Sequence, residues 1–196
     1  RLEAVQSFAE KYNLSEQDDI LLDTYNFEDI EETGIDFLAA LERVREIRQA
    51  LSQTFEFEGV AANSALRMME NLSQKQERAY ERLYVFLQNH LEDDEFILHG
   101  FVSNALATLR HVPAFYAHTL ELMAAARRAH VTKQFLLALT AGTDDSPPME
   151  MRAHDSVAYV GDMLAFSFKS FSVEADLAKS LLLQPEQEEQ DEEESS

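Results

Sequence analysis

His118 and Glu121 stand three residues apart, and His154 is followed directly by Asp155, so a metal-ligand pair and a histidine–carboxylate dyad are the chemistry this chain could offer. On a helix the first spacing puts both side chains on one face. A metal site in a helical bundle, however, needs several such pairs converging from neighbouring helices, and no second clear carboxylate–histidine pair is present. A local polar contact is therefore expected at His118 and Glu121. Adjacent residues at a helix start are better explained by capping than by catalysis, because the Asp155 carboxylate can accept backbone N–H groups at the positive end of the helix dipole. The chain lacks cysteine, a glycine-rich phosphate loop and a nucleophile elbow, so no catalytic residue, cofactor or metal is expected and the protein is read as a non-enzyme.

Two other groups could recognise a partner. Arg127, Arg128, His130 and Lys133 form the densest cationic cluster of an otherwise acidic chain. They are either a solvated helix face with internal ion pairs or a docking spot for an acidic segment. Tyr80, Tyr84 and Tyr116 each combine an apolar body with a polar tip, which suits a bundle boundary or a partner-facing rim, with core packing as the plainer alternative.

The elements that must position these groups are helical. Among 196 residues there are only 5 Gly and 4 Pro, and 45% of the residues are hydrophobic, so breaks are few and the core is real. The formal charge of −21 opposes attraction to nucleic acid or anionic lipid. No apolar run approaches the roughly 20 residues of a membrane span, so neither nucleic-acid binding nor membrane insertion is expected. The chain opens at Arg1 inside an apolar-periodic pattern, which reads as an internal fragment.

Periodicity places a first helix over Leu2–Tyr12 and a second behind a Ser15–Asp18 capping pattern, which Thr33 and Asp36 repeat before a third. From Gly59 to Leu91 the stripe Leu66, Met69, Leu72, Ala79, Leu83 and Leu87 marks a helix of roughly 45 Å. Asp93 or Asp94 caps a helix that carries Ile97, Phe101, Ala105, Leu106 and Leu109. Pro113 opens another, ended by Gly142. A loop over Thr143–Arg152 precedes two last helices, Asp155–Phe171 and Val173–Leu183. The expected organisation is a first bundle segment over 1–91, a second over 92–184, and an acidic tail or truncated loop over 185–196, where like charges repel and bury little.

The run Pro147-Pro148-Met149-Glu150-Met151-Arg152-Ala153-His154-Asp155 and the following Tyr159-Val160-Gly161-Asp162-Met163-Leu164-Ala165-Phe166 hold a breaker, a cap and an apolar helical stripe together. Asp155 is expected to cap a helix whose Val160, Met163, Leu164 and Phe166 pack into the bundle and maintain a junction between bundles. Gly161, costly inside a helix, is expected to mark close approach by a neighbour. The run resembles the subunit-six family of the conserved oligomeric Golgi complex, a vesicle-tethering assembly. Ala79-Tyr80-Glu81-Arg82-Leu83-Tyr84 and Tyr116-Ala117-His118-Thr119-Leu120 with Ala126-Arg127-Arg128 are similar to the same family in the same order, and weaker similarity reaches back through Phe37–Leu41. Ser156 replaces a proline common after the His-Asp pair, and Phe166 a common tryptophan.

The resemblance implies a peripheral protein on the cytosolic face of the Golgi, acting in retrograde vesicle transport. Its partners would be the other subunits of the complex, with SNARE proteins as further candidates. Together with the long helices, the resemblance implies an all-α fold, an elongated rod of consecutive antiparallel helix bundles. A generic helical adaptor of another pathway, or a metal-binding bundle using His118, Glu121 and His154, is the alternative.

Overall fold

The structure is a computed structural model that describes residues 14–53, 60–142 and 146–183. Among these are seven α-helices: α1 Glu16–Thr24, α2 Gly34–Gln53, α3 Val60–His90, α4 Asp94–Ile97, α5 Gly100–Leu109, α6 Pro113–Thr140 and α7 Ser156–Leu182, with a 3-10 turn at Met149–Arg152. The protein is all-α. The helix expected at Leu2–Tyr12 and the acidic stretch 185–196 lie outside the described residues.

Two compact units organise the chain, one of Arg1–Asn89 with Thr108–Phe115 and the other of His90–Ala107 with Tyr116–Ser196. Thr108–Phe115, beyond residue 91, belongs with the first unit. Its members explain why: the Phe115 ring stacks on Tyr84 at 4.7 Å and 11°, and the His111 ring lies 3.4 Å from Arg45.

In the first unit Ser15 caps α1, its hydroxyl accepting the Asp18 N–H at 3.1 Å. The Asp18 carboxylate does not complete a capping box. It accepts from Nε and Nη2 of Arg43 on α2, and that hydrogen bonding holds its carboxyl below the ordinary value against the opposing effect of burial. Ahead of α2 the Thr33 hydroxyl donates to the Asp29 carbonyl at 2.7 Å. The acidic connection between α1 and α2 is anchored by aromatic rings. Phe27 adopts a left-handed φ of 60°, a strained state for a bulky residue. Its ring stacks on Phe86 at 4.5 Å and meets Phe37 edge-on at 5.0 Å, which offsets that strain. Phe37, Leu41 and Val44 of α2 and Leu83 and Leu87 of α3 are fully buried. The polar interval Ser73–Gln76 does not break α3, because buried Gln76 accepts from the Arg48 guanidinium.

In the second unit Asp93 caps α4, its carboxylate accepting from Glu95 N–H at 3.0 Å and Phe96 N–H at 3.4 Å. The single helix expected after it divides into α4 and α5. The His99 ring nitrogen accepts the Phe101 N–H at 3.2 Å and so starts α5 afresh. Pro113 begins α6. Gly142 ends it with a φ of +80°, and a Cβ there would sit 2.6 Å from the Ser146 carbonyl, so only glycine fits. The two helices expected at the C-terminal side are one continuous helix, α7, because nothing between Phe171 and Val173 stops it.

Candidate functional site

The run from Pro147 to Phe166 builds the turn between α6 and α7. Pro147 and Pro148 lie against Gly142, and Met149 is buried at the start of the 3-10 turn. Arg152 donates to both oxygens of Asp162 at 2.9 and 3.1 Å, tying the turn to the second turn of α7. Asp155 caps α7, one carboxylate oxygen accepting Val157 N–H at 3.2 Å and Ala158 N–H at 3.1 Å. Asp155→Ala is expected to cost about 0.5–2 kcal/mol through the lost cap, readable as a shift in denaturant midpoint.

Beyond this turn α6 and α7 run antiparallel. Phe135 meets Phe166 at 5.6 Å, edge to face, while earlier on α6 Arg127 meets Glu174, later on α7, through hydrogen bonds of 2.9 and 2.6 Å. The same guanidinium also pairs with Asp94 of α4, whose other oxygen lies 2.6 Å from the His130 ring. Asp93 and Asp94 thus divide two tasks, one capping and one pairing. Hydrogen bonding from Arg127 holds the Glu174 carboxyl below its ordinary value, outweighing burial, with the charges of Arg127 and His130 adding to it. The cleft between α6, the 3-10 turn and α7 has a volume of about 580 Å³ and is lined by Val131, Gln134, Met149 and Phe166 among others. Its charged edges are occupied internally by the Arg127–Glu174 and Arg152–Asp162 pairs.

Several expectations at these residues do not hold. Arg127 is half-buried and clamps three helices, so it is not available as a partner-facing cation; Arg128 and Lys133 are exposed. Tyr80 is buried, not at a rim, and burial pushes its hydroxyl pKa up, with Gln76 beside it acting in the opposite direction. Tyr84 and Tyr116 are half-buried. Within the identifying run, Phe166 and Met163 are partly covered, but Val160 and Leu164 are exposed and do not enter the core. A Cβ on Gly161 would meet nothing within 4 Å, so no neighbour approaches closely there. Gly161→Ala in this chain is accordingly expected to raise stability by about 0.5–1 kcal/mol through helix propensity, measurable as an increased midpoint.

His118 and His154 are both exposed, and the His154 ring nitrogen lies 3.1 Å from the Met151 carbonyl, a local contact within the turn. No group of three His, Asp or Glu side chains able to hold a metal ion converges among the described residues. No helix among them is long and apolar enough to cross a membrane. Sequence reasoning missed the anions that hold Arg127 and the carboxylate that holds Arg43. Their separations, 47 residues for Arg127–Glu174 and 25 for Arg43–Asp18, leave no local signal.

Residues 62–196 match the family model described as the C-terminal region of conserved oligomeric Golgi complex subunit 6. Curated relatives with that subunit's name are 31% identical in Rattus norvegicus and 32% in Homo sapiens, each over 187 residues that cover 93% of this chain and 28% of the relative. The Drosophila melanogaster relative is 34% identical over 144 residues, 71% of this chain and 22% of its own. The chain therefore spans less than a third of the length of these relatives. No solved structure matches it. With the family model covering well over half of its residues, including the capped turn and both long helices of the second unit, the chain belongs to the conserved oligomeric Golgi complex subunit 6 family.

Proposed function

We propose that this chain is a structural and protein-interaction segment of a Golgi vesicle-tethering subunit, which acts by position and not by chemistry. The observation that carries this is the family match over residues 62–196, joined to a fold in which Arg127 and Arg152, at the edge of the α6–α7 cleft, are engaged in pairs that tie one element to another. Bundled helices leave faces on which partner helices can lie, ridges into grooves.

The partners are the other subunits of the complex, and SNARE proteins are further candidates through exposed cations such as Arg128 and Lys133. The setting is the cytosolic face of the Golgi, with peripheral attachment and a role in retrograde transport between its compartments. Affinity capture of each sister subunit separately with this chain tests the proposal. At least one is expected to be retained at moderate salt, and retention of none by a chain that is folded by circular dichroism contradicts it.

A further inference from the structure

Helix α7 has two apolar faces. One carries Phe166 against Phe135, Glu174 against Arg127 and the buried Leu181, and so faces the second unit. The other carries Val157, Val160, Leu164, Phe168 and Phe171, spaced at three or four residues, and all five are exposed, Val157 by 82% and Phe168 by 79%. They form a strip roughly 21 Å long at 1.5 Å per residue. Between Ser156 and Phe171 the helix has only two charged residues, Asp162 and Lys169. Both fall on the side of the helix away from that strip, and Asp162 is held by Arg152. A helix apolar on opposite sides belongs between two layers, and a continuous exposed apolar strip with two phenylalanines marks an interaction surface.

We propose that the outer face of α7 is covered by an amphipathic helix of the same subunit, supplied by the part that the relatives carry outside the matched region. That region is ample, because the match occupies only 28% of the rat and human subunits. The strip itself carries no charged side chain, as a surface meant to be buried does not. Helices close in sequence usually lie side by side, as α6 and α7 do, so the subunit's own chain is the nearest source of a covering layer. A second copy is disfavoured because each chain carries −21, and pairing would bring these charges together.

The chain contains no cysteine, so single thiols report cleanly. Val157→Cys, Phe168→Cys and, as an exposed control on α6, Glu121→Cys are introduced into this chain and into the full-length subunit. Thiol alkylation rates are then read by peptide-resolved mass spectrometry. In this chain all three sites are expected to react at similar rates. In the full-length subunit purified alone, positions 157 and 168 are expected to slow by about tenfold or more while 121 does not. Equal rates in chain and full-length subunit overturn the proposal. Protection that arises only in the assembled complex overturns it in favour of a sister subunit, and concentration-dependent protection in this chain overturns it in favour of a second copy. As a second readout, Leu164→Asp with Phe168→Asp is expected to leave the Tm of this chain unchanged and to lower that of the full-length subunit. An equal effect on both contradicts the proposal.

Discussion

Leu83→Ala is expected to destabilise the protein by about 2–5 kcal/mol, the range for truncating a buried leucine into a cavity that closes only in part. Leu83 has no exposed surface. It sits on the buried stripe of α3 with Leu72, Ala79 and Leu87, so the lost methyl groups leave a void that water cannot enter usefully. Denaturant unfolding checks this as a lower midpoint at unchanged slope. A change below about 0.5 kcal/mol would mean that the stripe does not form a packed core.

Arg127→Met is expected to cost about 1.5–3 kcal/mol, because it strands Glu174 and Asp94 without the cation that both hydrogen-bond. Methionine keeps much of the apolar stem, so the loss reports charge pairing more than packing. The effect depends on pH in a definite direction. Glu174 is held below its ordinary value of 4.5 chiefly by its hydrogen bonds from Arg127. The pair's contribution is therefore complete above that value and is lost as pH falls through the lower folded-state value. Melting curves of both proteins should differ widely at about pH 7 and draw together as pH falls below the ordinary carboxylate range. A constant difference across this range would show that Arg127 acts through packing alone.

What the sequence revealed and what it hid divide along the range of the interactions involved. Ser15, Asp93, Pro113, Gly142 and Asp155 mark helix ends because a cap, a fixed φ or a left-handed turn acts over two to five residues. Asp155 was legible for that reason. The break before α5 was not, because Ile97, Phe101 and Ala105 keep a helical spacing across it, and a histidine ring serving as a cap has no strong sequence signature.

Arg127 shows the same limit at the candidate site. Its cluster with Arg128, His130 and Lys133 left a face with internal ion pairs and a docking spot both open, and Asp94 and Glu174, distant in sequence, are what turn Arg127 inward. The run around Gly161 misled in the opposite sense. Periodicity identifies Val160 and Leu164 as apolar positions, but it does not say which layer covers them, and among the described residues none does.

The central claim, that this region works as a positional element of a tethering subunit, is tested most directly by exchange. In the human relative, the 187 matched residues are replaced by this chain, and the chimera is expressed in cells that lack their own subunit six. The chimera is predicted to recover the sister subunits by affinity purification. A chimera that accumulates to normal levels, unfolds cooperatively and yet recovers none of them would contradict the account.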